Sequence, residues 1–302
     1  MQFIAVDWGS SRFRAWRIEA DGQIRDTRES AQGLKSVTDG GFEAVLTGAC
    51  GSWLEDSPES PVLMSGMIGA RGGWIEAPYC PCPADMQAVG AAAVKLTVAG
   101  RPAAILPGAT CTDTLGHADV MRGEEVQIFG AAATLGLRDA VICIPGTHAK
   151  WAALEGGRLT GFQTHVTGEL FALLRGQSLV GALAEGDAED PQAFLAGVDH
   201  GRATPAAHAV FAARADTLNG RLAPTSASAF LSGVLIGNEL AARPQTGGEV
   251  LLLATGILAE RYGLALDHLG VATRLVEAKA ATRAGQIMAA RSLWPERLPA
   301  RP

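Results

Sequence analysis

The feature that most constrains the fold of this chain is a repeat. Phe3-Ile4-Ala5-Val6 is an apolar run that reads as a buried strand, and it ends in Asp7-Trp8-Gly9-Ser10-Ser11. Val141-Ile142-Cys143-Ile144 is a second such run, followed by Pro145-Gly146-Thr147-His148 and then Lys150-Trp151. Downstream the register matches: Trp16 and Trp151 are each followed six residues later by a glycine, Gly22 and Gly157, and two positions further on stand Ile24 and Leu159. Each copy therefore reads as strand, turn, strand with a tryptophan, glycine turn, third strand. A duplicated three-stranded meander implies two related α/β halves.

The first turn has the chemistry of a phosphate site. Gly9 lets backbone approach a ligand, Ser10 and Ser11 offer hydroxyl donors, and Asp7 can hold a hydrated Mg²⁺ that neutralises phosphate charge. Taken alone, the same residues would equally make an ordinary hairpin turn; the second copy is what raises the functional reading.

Composition narrows the partners. The chain has 302 residues, 48% of them hydrophobic, which is enough for two medium domains with real cores. Its formal net charge is −6, its only lysines are Lys35, Lys95, Lys150 and Lys279, and no Lys/Arg cluster occurs, which argues against nucleic acid or an anionic membrane as partner. The apolar run after Met1 stops at Asp7, so no signal peptide is expected; the stretch Val126 to Gly146 is broken by Arg138 and Asp139, so no span is expected. A cytoplasmic protein follows as the expectation. Cys50, Cys80, Cys82, Cys111 and Cys143 are odd in number, and Cys80-Pro81-Cys82 lacks partner ligands, so inert thiols are expected rather than a metal centre.

Further along, Phe42 to Trp53 has helical spacing, and the strand Val62-Leu63-Met64 runs into the glycine-dense Ser65-Gly66-Met67-Ile68-Gly69-Ala70-Arg71. Glycines at a strand's C-terminal end suit backbone lining a ligand cavity, which makes Gly66 a substrate-side candidate. Arg71 offers a planar fork for a carboxylate or phosphate. Met86 to Ala99 reads as a helix turning into a strand. Glu124 and Glu125 fall in the first turn of a helix carrying Val126, Ile128 and Phe129, where the dipole favours carboxylates and where a base could deprotonate a hydroxyl. Thr167 reads as the N-cap of the next helix. Residues 185 to 205 read as an exposed connection with a short helix near Ala193 to Ala196. Ser226 to Ala242 is an apolar helix; Val250 to Leu253 is a strand closed by Thr255-Gly256, a turn suited to an adenosine or its α-phosphate, and it leads into a helix from Leu258 to Leu266. Val271 to Val276 reads as a strand and Ala280 to Leu293 as the last helix.

These motifs together resemble the bacterial 2-dehydro-3-deoxygalactonokinases. The match runs in order through Asp7-Trp8-Gly9-Ser10-Ser11, Ser65 to Gly69, Met121 to Glu125, Pro145 to Trp151, Thr167-Gly168-Glu169, Leu231-Ser232-Gly233 and Glu239. That family belongs to the superfamily of actin, hexokinase and the heat-shock-chaperone ATPases. The resemblance implies an α/β fold of two similar ribonuclease-H-like domains with an interdomain nucleotide cleft. It implies residues 1–122 as an N-terminal, sugar-acid-side domain and 123–302 as a C-terminal, nucleotide-side domain, the last helix being free to pack back on the first.

The resemblance also implies roles. Asp7, Gly9, Ser10 and Ser11 match the first phosphate motif, Gly146, Thr147 and His148 the second, and Thr255 with Gly256 the adenosine motif. The activity implied is transfer of the ATP γ-phosphate to the terminal hydroxyl of a 2-keto-3-deoxy sugar acid, with Mg²⁺ on Asp7. Two departures stand out: the second turn has Pro145 where an acid would match Asp7, and Thr255 stands where a glycine is more typical. The base is then expected from Glu124 or Glu125, with Asp113 and Asp119 in reserve. Lys150 and His148 are candidates for phosphate charge, and Arg71 or Arg12 for the sugar-acid carboxylate. The competing readings are a polyphosphate or nucleotide hydrolase of the same superfamily and a non-catalytic ATP- or sugar-binding regulator. The sequence leaves open the galactonate- or gluconate-derived acceptor and a homodimer.

Overall fold

In the computed structural model, residues 2–187, 189–243 and 248–298 are described. The chain divides into two compact units, the first comprising Met1–Asp139, Ala153–Gly161 and Glu277–Pro302, the second Ala140–Ala152 and Phe162–Val276. The architecture is mixed α/β with several sheets.

The first unit opens with β1 (Gln2–Trp8), β2 (Phe13–Glu19) and β3 (Ile24–Ser30), then α1 (Phe42–Asp56), β4 (Val62–Gly66), β5 (Tyr79–Pro81) and α2 (Met86–Ala91). It continues through β6 (Val94–Val98), β7 (Arg101–Ile105), β8 (Gly108–Thr112), β9 (Ala118–Met121) and α3 (Glu124–Leu135). One sheet has the order β3-β2-β1-β4-β7-β6, and β5-β8-β9 form a smaller one. β1 is central, antiparallel to β2 and parallel to β4, which is why Phe3 to Val6 are all buried. β3 is an edge, and its charged Arg25, Asp26, Arg28 and Glu29 suit that exposure. Trp8 packs edge-on against Phe13 at 4.8 Å in a core with Phe42, Leu46 and Trp53.

The second sheet is ordered β12-β11-β10-β13-β14, from β10 (Ala140–Ile144), β11 (Ala149–Glu155), β12 (Arg158–His165), β13 (Val250–Leu253) and β14 (Thr273–Val276). The short connections β10–β11 and β11–β12 permit only antiparallel neighbours, whereas β10, β13 and β14 are parallel. Both sheets thus carry a meander whose first strand pairs in parallel with a later one. Gly22 and Gly157 occupy corresponding turns at φ +92° and +84°, a conformation that side chains with a Cβ rarely adopt.

Between β12 and β13 come α4 (Thr167–Gln177), α5 (Pro191–Ala203), α6 (Ala206–Ala209), α7 (Phe211–Leu218) and α8 (Ala227–Ala242); α9 (Gly256–His268) follows β13 and α10 (Ala278–Leu293) follows β14. The expected exposed connection at 185–205 is corrected here. Asp190 caps the Ala193 N–H, Pro191 occupies the first turn, and a full helix follows with Phe194 and Val198 buried. α5 crosses α8 with backbones in contact: a Cβ on Gly197 would lie 2.2 Å from the Phe230 carbonyl oxygen, and one on Gly233 2.0 Å from that of Phe194. Within the first unit α10 crosses α3 in the same way, Gly130 against Ala281 and Gly285 against Val126.

Candidate active site

The first unit gathers its candidate residues around the C-terminal ends of β1 and β4. Asp7 and Ser65 are register partners across the parallel pair. Asp7 Oδ2 accepts from Arg14 Nη1 at 3.0 Å, and a Cβ on Gly66 would sit 3.3 Å from Asp7 Oδ1 and 2.9 Å from the Trp8 carbonyl oxygen. Gly66 also has φ +89°, so both its backbone conformation and the space beside Asp7 require glycine. Burial raises the Asp7 carboxyl above its ordinary value, while the Arg14 charge and hydrogen bond pull it down.

Gly123, at φ +104°, precedes α3 and lies against Gly66, where its Cβ would come within 3.2 Å of the Gly66 Cα. This contact brings the start of α3 next to the Asp7 turn. The two glutamates there differ. Glu125 is fully buried; its Oε2 accepts from the Gly123 N–H at 2.7 Å and its Oε1 has no hydrogen-bond partner. Burial, and after it the Glu124 charge, pushes the Glu125 carboxyl up to about 8. Glu124 is half-buried, its Oε2 accepting from the Arg122 N–H at 3.0 Å.

The Gly9–Arg12 turn is held by backbone. Gly9 N–H donates to the Arg12 carbonyl at 2.9 Å, and the Leu34 and Lys35 N–H groups donate to the Gly9 and Ser10 carbonyls. Ser10 is half-buried and Ser11 is exposed.

In the second unit, Pro145 to His148 form the turn between β10 and β11, with Gly146 half-buried and Thr147 and His148 exposed. Gly168, in the first turn of α4, presses on it: a Cβ there would lie 2.4 Å from the Gly146 carbonyl oxygen and 2.9 Å from the Thr147 Cα. The Glu169 N–H donates to the Thr147 carbonyl at 3.0 Å, and His148 Nε2 stands 2.7 Å from Glu169 Oε2. Lys150 is buried with Nζ 3.4 Å from the His148 carbonyl oxygen. Thr167 is not the N-cap expected from sequence. Its hydroxyl donates to buried Glu239, which also accepts from Trp151 Nε1 and the Tyr262 hydroxyl.

Thr255 and Gly256 are exposed between β13 and α9, with Gly256 at φ +58°. Beside the first turns of α9 opens a cavity of about 490 Å³ whose lining includes Asp190, Phe194, Ala229, Ile257, Arg261 and Leu264. Its size is that of a small-molecule site.

A family described as 2-keto-3-deoxy-galactonokinase matches residues 7–289. The chain belongs to that family. Among this family's members, a Rhizobium meliloti (strain 1021) protein named as a probable 2-dehydro-3-deoxygalactonokinase is 40% identical, over 97% of this chain and 98% of its own. The Escherichia coli (strain K12) 2-dehydro-3-deoxygalactonokinase is 35% identical, over 94% of this chain and 96% of its own. A crystal structure from Sinorhizobium meliloti, of a protein assigned the same activity, superposes with a TM-score of 0.90 at 39% identity, covering 97% of this chain and 99% of that one.

Within this kinase-family chain, the structure brings together Asp7, Gly66, Gly123 and Glu125 in the first unit, and Gly146, Thr147, His148 and Glu169 in the second. Arg12 and Arg71 are exposed. Asp113 lies in the β8–β9 turn, accepting from the Leu115 and His117 N–H groups, and Asp119 accepts from its neighbour Val120. Sequence reasoning missed Arg14, whose signal was only its register opposite Asp7 on β2, and the partners of Glu239, which are 23 to 88 residues away and leave no local signal. Among the described residues no group of three or more His, Cys, Asp or Glu side chains is placed to hold a metal.

Proposed function

We propose that this chain is an ATP-dependent sugar-acid kinase that phosphorylates the terminal hydroxyl of 2-dehydro-3-deoxy-D-galactonate to give the 6-phosphate. The carrying observation is that the family match at residues 7–289 spans both turns, the glutamate pair and the adenosine-type turn, alongside relatives 35–40% identical that bear this name. We infer further that the two units are two similar ribonuclease-H-like domains and that the turns at Asp7 and at Pro145 are both nucleotide-phosphate sites, as the superfamily resemblance implies.

The residues suit these roles. The hydroxyls of Ser10, Ser11 and Thr147 and the backbone at Gly146 supply donors for phosphate oxygens, with Gly9 letting the first turn approach them, and Lys150 supplies positive charge and His148 an imidazole beside the second turn. The cavity at α9 offers apolar Phe194, Ala229 and Ile257 to an adenine ring and carboxylates to ribose hydroxyls. The donor set fits Mg²⁺, which in kinases needs one or two carboxylates and the substrate phosphates: Asp7 would hold it, and the ion would neutralise phosphate charge. What remains for the protein is in-line positioning and removal of the hydroxyl proton. Glu124 or Glu125 takes that proton, and Arg71 or Arg12 holds the sugar-acid carboxylate.

ADP formation with 2-dehydro-3-deoxy-D-galactonate, with the gluconate-derived isomer and without sugar acid is the test. ADP formation that depends on the galactonate-derived acid supports the assignment. Equal ADP formation without any sugar acid makes the protein a hydrolase and removes it.

A further inference from the structure

We propose that Glu239 is a positioning residue for the nucleotide, fixing the Pro145–His148 turn through Thr167 and α9 through Tyr262. The inference rests on reading that turn as a phosphate site. Glu239 is 2% exposed and sits near the C-terminal end of α8. Its Oε1 accepts from Trp151 Nε1 at 2.8 Å, and its Oε2 accepts from the Tyr262 hydroxyl at 2.7 Å and from the Thr167 hydroxyl. Three donors from β11, α4 and α9 converge on one carboxylate. Indole N–H can only donate, so Trp151 needs the acceptor that Glu239 Oε1 provides.

Each donor stands next to a piece of the nucleotide site. Trp151 is three residues after His148 on the strand leaving the turn. Thr167 is followed directly by Gly168, whose backbone contact with Gly146 and Thr147 leaves no room for a Cβ, and by Glu169, whose N–H holds the Thr147 carbonyl. Tyr262 lies on α9, which begins at Gly256 and lines the cavity with Ile257 and Arg261. Burial, followed by the Glu239 charge, keeps the Tyr262 phenol well above its usual range, so it remains a donor. The crossing glycines Gly233 and Gly237 fix α8 against α5, which gives Glu239 a rigid mount.

Binding of the β,γ-imido analogue of ATP with Mg²⁺ to the full chain, measured by calorimetry for wild type, T147A, T167V, T167S, E239Q and Y262F, tests this. The expected result is that T167V, Y262F and E239Q each weaken binding about tenfold, the scale of one lost hydrogen bond to a charged group. T167S restores it, and the KM for ATP rises while that for the sugar acid stays put. T167V and Y262F each leave two of the three bonds in place, so the test stands even if E239Q does not fold. Weakened binding in T147A with wild-type binding in T167V, Y262F and E239Q overturns the positioning role and leaves the kinase reading intact. Wild-type binding in T147A overturns the phosphate reading of the turn, and this inference with it.

Discussion

Gln286 Nε2 donates at 2.8 Å to the Val6 carbonyl, so a side chain of α10 is bonded to the strand that carries Asp7. The same nitrogen donates to Ser65 Oγ at 2.8 Å, which couples the ends of β1 and β4 from one side. Gln286 is fully buried. Gln286→Ala leaves the buried Ser65 hydroxyl and Val6 carbonyl short of a donor, and is expected to cost roughly 1–3 kcal/mol of stability. Urea unfolding measures it, and turnover should fall with it because Asp7 adjoins Val6. An unchanged urea midpoint would show that water replaces the amide at no cost.

Asp7 is the carboxylate proposed to serve the phosphates; its Oδ2 is held by Arg14, and its Oδ1 lies 3.3 Å from where a Cβ on Gly66 would sit. Asp7→Asn keeps the shape and removes the charge. In the proposed metal-holding role, the lost charge stabilisation would be worth several kcal/mol and lower kcat/KM by about two decades or more. Steady-state kinetics at several Mg²⁺ concentrations are the measurement, and wild-type kinetics in Asp7→Asn would remove Asp7 from the site.

Much of the frame was legible because its signals are local. Two apolar strands, two tryptophans and two turn glycines at matched spacing announced both meanders, and adjacent acids ahead of a 3.6-period pattern announced the start of α3. α5 was misread because Gly197 and Gly201, which look like turn residues, are where its backbone touches α8. Thr167 was misread because capping is the default for its position, whereas its hydroxyl serves Glu239, 72 residues away. Gln286 and Val6 are 280 residues apart, a separation that no spacing rule reaches.

The α5–α8 crossing is itself testable. A methyl group at Gly233 would meet the Phe194 carbonyl at 2.0 Å and the Val198 nitrogen at 3.0 Å, both of them backbone atoms that cannot rotate away. Gly233→Ala should therefore destabilise by roughly 1–3 kcal/mol or more through overpacking, against the small gain that alanine normally brings to a helix interior. Gly263→Ala on α9 is the control, since nothing lies within 4 Å of its Cβ position. Thermal unfolding should separate the two, and equal midpoints would mean that the helices part without penalty.

Glu125 predicts a pH dependence of both stability and rate. Burial first, and the Glu124 charge second, raise its carboxyl to about 8 from an ordinary 4.5. Between those values the folded chain keeps a proton that the unfolded chain has released, so stability falls as pH rises through that window and levels off above it. The slope from this one group is at most about 1.4 kcal/mol per pH unit. Glu125→Gln cannot titrate, so its stability curve should be flatter than that of wild type between about pH 5 and pH 8. Parallel curves would mean that Glu125 is ionised in the folded protein. The same pair assigns the base. If Glu125 takes the hydroxyl proton, the wild-type kcat/KM profile has a rising limb near 8 that Glu125→Gln lacks, with activity down roughly two to four decades. Loss of that size in Glu124→Gln, with Glu125→Gln still active, gives the role to Glu124.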